Sequence, residues 1–380
     1  MKTMRLAAIC AALCILTAIP ALASDSIKIG AVLSASGPAS FLGEPEKKTL
    51  ELMEEQINAA GGILGKQLEL IIYDDETDVN KCVLAVDKLI KKDKVVAVLG
   101  PTVSGNTLAV ANKFSAARLP LVSCAAAEKI VVPVNPWVFK TPQSDRQAVT
   151  KILGHMQAAG YKKIAIVSVS NGFGQAGRAV LKELLPTQGF EMVADEVYGP
   201  KDTDMTPQLT KIKALNPDAI VCWGTNPGPA VVARNRVQLG MTTPLYMSHG
   251  VASGKFIELA GEAAEGLMLP AGRMIALDQI EDANPQKPVL AAYATAYAAK
   301  YGTPPSTFGG YAYDALMLVK AAIEAGGSAD PQAIRDNLEK ITGFVGATGE
   351  FNFSAADHNG LDASSFVMVQ ITGGGWKLLP

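Results

Sequence analysis

Residues 78–100 read DVNKCVLAVDKLIKKDKVVAVLG, and the two periods inside this stretch decide the fold class. Val79, Cys82, Val83, Val86, Leu89 and Ile90 recur at spacings of three and four, which predicts a helix over Asp78–Lys92. Val95–Leu99 is then a continuous apolar run, as expected of a strand covered on both faces by helices in a parallel sheet. The same alternation extends outward. Ile27–Leu33 reads as a strand, Glu44–Ala60 as a helix with Leu50, Met53, Ile57 and Ala60 on one face and Gly61 as its stop, and Gln67–Tyr73 as a strand. Pro133–Pro142 interrupts the pattern with three prolines, after which it restarts: helix Asp145–Ala159, strand Lys163–Val169, helix Gln175–Leu185, strand Phe190–Tyr198 and helix Met205–Leu215. Strand Ala219–Trp223, helix Pro229–Leu239 and strand Pro244–Met247 complete a second α/β unit. The last third is mainly helical, over Gln286–Lys300, Tyr311–Ala325 and Pro331–Lys340. It ends in a strand pair, Ser365–Thr372 and Trp376–Leu379, turned by Gly373-Gly374-Gly375. Alternation of this kind argues for a layered α/β fold, with two α/β units flanking the proline-rich crossing.

The chain has 380 residues, 49% hydrophobic and 18% charged, with a net charge of −2. That length exceeds one ordinary core and points to two domains. Near-neutral charge without a basic run gives no footprint for a nucleic-acid partner. Met1–Ala23 has the layout of an export signal: Lys2 and Arg5, an apolar run from Leu6 to Ile19, and small residues at Ala21-Leu22-Ala23. Neither Cys10 nor Cys14 follows a lipidation box, and no later run reaches spanning length. The expected mature protein is periplasmic or secreted and retains Cys82, Cys124 and Cys222, too few for a disulfide framework.

Gly172-Phe173-Gly174-Gln175-Ala176-Gly177 fits the dinucleotide pattern G-x-G-x-x-G, with Asp195 and Glu196 at the distance of a ribose contact. It lies in the second unit of an exported chain, with no acid or base for hydride transfer nearby, so an NAD-dependent oxidoreductase is a distant alternative. His155, His249 and His358 have no paired spacing for a metal. Ser104 has no nucleophile elbow and no base partner. Asp74 and Asp75 read as solvated loop charge, and Cys82 as core packing. The expectation is a protein that is not an enzyme, with no cofactor and no metal. The positive signal is a pair of polar loops at strand ends, Gly100–Thr107 and Ser123–Ala127, where exposed N–H groups at a helix start suit a carboxylate. Ordinary helix capping by Ser104 is the competing reading.

Ile29-Gly30-Ala31 with Ser36-Gly37-Pro38, then Ile57–Ile63 (INAAGGI) and Tyr73-Asp74-Asp75, resembles the start of the leucine/isoleucine/valine-binding protein family of ABC importers. The likeness continues through Phe139-Lys140-Thr141, Asp145, Phe173-Gly174, Ala264-Glu265-Gly266 and Tyr313-Asp314-Ala315. It implies the α/β type I periplasmic binding fold: two doubly wound parallel-sheet lobes joined by three crossovers, closing on a ligand. The implied division is a signal peptide over 1–23, an N-terminal lobe of 24–143 and 272–348, and a C-terminal lobe of 144–271 and 349–380. The implied partners are a small carboxylate and inner-membrane permease subunits, with the protein acting as a monomer.

Carried over by position, the resemblance gives Ser104, Ala125 and Ala127 the ligand's carboxylate, Asn226 and His249 its far end, and Phe41, Leu42 and Phe173 the apolar wall. Ala127 stands where threonine is usual, and His249 where an acid pairs with the ligand's ammonium. Thr77 and Val103 replace a cysteine pair. The expected ligand is an aliphatic or branched-chain amino acid or, because the acid is missing, an aromatic carboxylate or oxo acid. A sensor module of the same fold is a further alternative, disfavoured by the lack of any later spanning helix or effector segment.

Overall fold

The computed structural model describes residues 26–380. The export signal expected over Met1–Ala23 lies outside the described residues. Two sheets organise the chain. The first holds β1 (Ile27–Leu33), β2 (Leu68–Asp74), β3 (Ala97–Leu99), β4 (Leu121–Ser123) and β5 (Val138–Lys140), all parallel, in the order β2-β1-β3-β4-β5. The second holds the parallel strands β6 (Lys163–Val169), β7 (Glu191–Tyr198), β8 (Ala219–Trp223), β9 (Leu245–Met247) and β10 (Met268–Gly272). A short pair, β11 (Phe344–Val345) and β12 (Glu350–Phe351), precedes β13 (Phe366–Thr372) and β14 (Gly375–Leu378). These last two extend the second sheet antiparallel, in the order β14-β13-β10-β9-β8-β6-β7.

Helices α1 (Ser40–Ala59), α2 (Val79–Lys88) and α3 (Ser104–Ala117) connect the first strands. Helices α4 (Asp145–Ala158), α5 (Gly172–Thr187), α6 (Thr206–Ala214), α7 (Gly228–Gln238) and α8 (Gly254–Ala260) serve the second sheet. After β10 come α9 (Lys287–Tyr301), α10 (Thr307–Gly326) and α11 (Pro331–Leu338), of which α10 and α11 return to the first core.

Alternation within each strand explains the layers. Ile27, Ile29, Ala31 and Leu33 point into a core shared with α1 and α10, while Val32 faces α2 and α3 on the other side. In β6, Ala165, Val167 and Val169 meet α6, α7 and α8, and Ile164 and Ile166 meet α4 and α5. Both faces of each sheet are covered, as the apolar strands predict.

Several elements differ from expectation. The helix from Asp78 keeps α geometry only to Lys88 and then widens into a π turn over Leu89–Asp93, which places Leu89 under β1, against Gly30. The proline-rich crossing contains β5, an edge strand. Strand β10 contains Pro270, which masked it in the sequence, since proline removes a ladder donor. Phe351, Phe353 and Leu361, expected in the second lobe, pack into the first core, so the last crossing lies nearer β13. The C-terminal hairpin turns through Gly373 and Gly374, both at positive φ (59° and 73°), as a two-residue hairpin loop requires.

Candidate functional site

A cavity of about 360 Å³ lies between the two sheets, at the C-terminal ends of their parallel strands. This is the crevice at which open α/β sheets place ligands, because strand ends and helix starts meet there. Three helix N-termini border it: Ser104-Gly105-Asn106 of α3, Gly172-Phe173 of α5 behind Asn171, and Gly228 of α7 behind Asn226-Pro227. The N-caps of α3 and α7 are Val103 and Pro227, neither of which supplies a capping side chain. First-turn N–H groups without capping side chains, with a partial positive charge of about half a unit at each helix start, favour an anion.

Ser104 does not cap α3. It is 3% exposed, lines the cavity, and its Oγ accepts a hydrogen bond from the Ala127 N–H at 3.2 Å, tying the helix start to the loop after β4. The Ala125 N–H likewise donates to Ser123 Oγ at 3.1 Å. Ala125 and Ala127, expected to offer their N–H groups to the ligand, therefore spend them within the loop, and both side chains belong to the core beneath. Cys124 and Ala126, on the opposite phase of this extended segment, form the wall. Phe41 is also displaced from expectation: its ring packs edge-on against Phe308 with centroids 5.8 Å apart, and Leu42, one position on, faces the cavity. Ser104→Ala is expected to weaken ligand binding and, by leaving the Ala127 N–H buried without a partner, to destabilise the ligand-free protein by about 1–3 kcal/mol. Urea unfolding beside a ligand titration measures both. An unchanged midpoint would show the Ser104–Ala127 bond to be energetically idle.

On the opposite wall the structure brings together Phe173, Asn226 and His249. His249 is 2% exposed and Asn226 6%, and the polar side-chain atoms of both lack a protein partner. Phe173, Trp223 and Phe366 surround the imidazole at centroid distances of 5.4, 5.8 and 5.3 Å. Burial, with help from the positive charge of Lys140, pushes His249 down to about 3, so at neutral pH it presents one donor and one acceptor and no charge. Unpaired buried polar atoms cost about 1–3 kcal/mol each, and these converge on a cavity where a ligand's polar atoms can pair with them.

Glu46 of α1 also lines the cavity and was missed. Its signal was present: with Leu42, Thr49, Leu50 and Met53 it lies on the buried stripe of α1, where a charge is out of place. Asp75, read as solvated, is fully buried. It accepts from Ser34 Oγ and Asn106 Nδ2, both at 2.7 Å, and so joins β1, β2 and α3 below the cavity floor. Asp74 beside it is the exposed member of the pair. Thr77 accepts from the Ala39 N–H at 3.1 Å and donates to Ser36 O at 3.2 Å, so hydrogen bonds clamp this loop. Cys82, Cys124 and Cys222 are all unpaired and buried.

The glycine motif has a packing origin. A Cβ on Gly177 would lie 2.0 Å from the Trp223 indole, so the third glycine exists to let α5 close on β8. Asp195, placed by spacing at a ribose contact, is held bidentate by Arg178 at 2.6 Å and 2.6 Å and by Lys182 at 3.0 Å. Glu196 pairs with Lys211 at 3.1 Å. His155 bonds Tyr246 and His358 bonds the Val138 carbonyl, at 2.8 Å and 2.9 Å. Among the described residues no cluster of three His, Cys, Asp or Glu side chains could hold a metal ion, and no helix is long and apolar enough to cross a membrane.

Similar proteins share this architecture. The chain is 27% identical over 335 residues, 87% of each chain, to the leucine-, isoleucine-, valine-, threonine- and alanine-binding protein of Pseudomonas aeruginosa. An extracellular ligand-binding receptor from Rhodopseudomonas palustris HaA2 superposes with a TM-score of 0.88 at 30% identity, covering 93% of this chain and 99% of that one. The branched-chain amino acid transporter substrate-binding protein of Streptococcus pneumoniae, solved with isoleucine, gives a TM-score of 0.81 at 27% identity over 93% and 99%. The periplasmic binding protein family model matches residues 26–375. With two mainly parallel sheets, three crossings and a cavity at the strand ends, the chain has the type I periplasmic binding fold and belongs to the periplasmic binding protein family.

Proposed function

We propose that this chain is the exported solute-binding component of an ABC importer, capturing a small carboxylate in the cleft between its lobes and delivering it as a monomer to inner-membrane permease subunits. Residues 1–23 serve as the cleaved signal. The protein performs no chemistry on its ligand. The starts of α3 and α5, with Ser104, favour an anion at one end of the cavity, and Phe173, Leu42 and Phe308 suit an apolar body.

The ligand we favour lacks an ammonium group, which makes it an aromatic carboxylate or an oxo acid. One observation carries this choice: the wall that would face the ammonium of an amino acid is neutral, with His249 uncharged and Asn226 beside it. An ammonium buried there without an acid is costly, whereas His249 and Asn226 can pair with a carbonyl or hydroxyl oxygen. An aliphatic amino acid is the second reading, supported by the relatives named for such ligands and by Glu46, a carboxyl on the other wall.

Melting-temperature shifts separate the two. At a ligand concentration about 100 times Kd, stabilisation is about 2.7 kcal/mol, enough for a shift of several degrees. Benzoate or 4-methyl-2-oxopentanoate is expected to raise the midpoint and L-leucine to leave it unchanged. Stabilisation by leucine alone would reverse the assignment.

A further inference from the structure

Glu46 is 1% exposed and sits on the cavity wall, and neither the carboxylate end nor the neutral wall around His249 makes use of it. The Thr102 hydroxyl accepts from the Ser34 N–H at 2.9 Å, so its single proton is free to donate to Glu46 Oε2, 2.5 Å away. Oε2 is thus an acceptor, and the second oxygen of Glu46 remains to be matched. The titratable groups that face Glu46 are Asp75 at the end of β2, Cys124 after β4 and Tyr311 of α10. None is a cation, and among the described residues none of the ion pairs includes Glu46. A carboxylate desolvated without a positive partner costs several kcal/mol, whereas a carboxylic acid costs far less and brings a proton to place.

We infer that Glu46 is a specificity-determining residue of the cleft that works as an un-ionised acid, donating the proton on its free oxygen to an oxygen atom of the bound ligand. The inference rests on the reading of the ligand as an anion without ammonium, since an ammonium would instead draw the carboxylate form. Burial, reinforced by the negative Asp75, raises the Glu46 carboxyl well above the usual carboxylate range. An ionised Glu46 would repel an anionic ligand and lose its donor. Affinity is therefore full while Glu46 keeps its proton and falls as pH rises through its pKa in the ligand-free protein.

Titration calorimetry with benzoate and with 4-methyl-2-oxopentanoate tests this at about pH 5.5 and about pH 8.5. For the wild type, tight binding is expected at the lower pH, where Glu46 keeps its proton, and Kd is expected to rise once the pH passes the Glu46 pKa. Glu46→Gln fixes a neutral donor and is expected to bind at both pH values within about threefold of the wild type at the lower one. Glu46→Leu is expected to bind about tenfold or more weakly at both. A pH-independent wild type combined with a large loss in Glu46→Gln would overturn the inference by making Glu46 an ionised acceptor. An infrared difference spectrum, ligand-free wild type minus Glu46→Gln at neutral pH, supplies a readout independent of any ligand. A protonated-carboxyl carbonyl band is expected, and its absence overturns the inference whatever binds. If the band is present while leucine alone stabilises the protein, the ligand class falls and the protonation state of Glu46 stands.

Discussion

Lys140→Met is expected to destabilise the protein by about 1–3 kcal/mol, the cost of leaving a buried acceptor without its donor, with the lost attraction between two buried charges added to it. Lys140 ends β5, at the first crossing between the sheets, and is 0% exposed. Its ammonium donates to the Pro142 carbonyl at 2.6 Å and to the Ala126 carbonyl at 3.1 Å, so one side chain holds both the crossing and the cavity-lining loop. Asp145, at the start of α4, is equally buried; its Oδ2 accepts from the Glu128 N–H at 3.1 Å and its Oδ1 has no partner. Burial lowers the Lys140 ammonium and raises the Asp145 carboxyl, while each charge favours ionisation of the other. Methionine preserves the length of the stem but removes the charge nearest Asp145 and leaves the Ala126 carbonyl without its donor, while the Pro142 carbonyl keeps its bond from Asn359 Nδ2 at 2.9 Å. Urea unfolding should show the loss, and Asp145→Asn on the Lys140→Met background should recover part of it by removing the stranded charge. A single-variant effect below about 1 kcal/mol would mean that the two charges are not energetically paired.

Lys140 also links stability to function. Its charge reaches His249, helping to keep that ring neutral, and adds to the positive potential of the three helix starts. On the proposed reading an anion is drawn to the cavity without a cationic side chain on its deep walls; Lys201, at the rim, is exposed. Such a site binds through fixed dipoles and a charge one layer behind the wall. The neutral far wall is consistent with that arrangement, and on the inference above Glu46 keeps its proton, because an ionised acid would oppose the field.

What could be read from the sequence was periodicity inside elements. The strand Ala219–Trp223 and the helix faces around Val86 and Leu50 follow directly from apolar spacing, since the burial of apolar faces is the strongest force driving the chain to fold. Membership of the cavity wall was legible only in part. Ser104, Leu42, Phe173, Asn226 and His249 reach it, while Phe41, Ala125 and Ala127 miss it by a single residue. In a loop or the first turn of a helix, a shift of one position exchanges wall for core, and neither period constrains the phase there. Glu46 and Asp75 escaped for a different reason. Their environment is made by partners distant in sequence, Thr102 for one and Asn106 for the other, 56 and 31 residues away. Strand β10 escaped because its proline is tolerated between β9 and β13, a tertiary circumstance that local rules count against a strand.

Gly172→Val is expected to lower affinity for the stabilising carboxylate by about 100-fold, equivalent to about 2.7 kcal/mol, with little change in the stability of the ligand-free protein. Gly172 opens α5 on the second sheet, and a Cβ there would lie 3.1 Å from both the N and the Cα of Gly105, at the start of α3 on the first. Two helix starts thus meet backbone to backbone across the cleft, each through a glycine, and the contact exists only while the lobes are together. Nearby the lobes interlock further: Ala176 packs into the first core and Ala126 against the second. The backbone of Gly172 does not need positive φ, so valine introduces no local strain, and the obstacle is the opposing main chain, which cannot rotate aside. A ligand that requires closure must then work against that clash, and the apparent affinity falls with the population of the closed form. Gly172→Ala should be intermediate, because a single methyl asks the neighbour to yield by only a few tenths of an ångström. Small-angle scattering with saturating ligand should show the wild type contracting and Gly172→Val remaining extended. Undiminished affinity in the valine variant would mean that this contact is not part of the ligand-bound state, and the proposal of closure around α3 and α5 would fail with it.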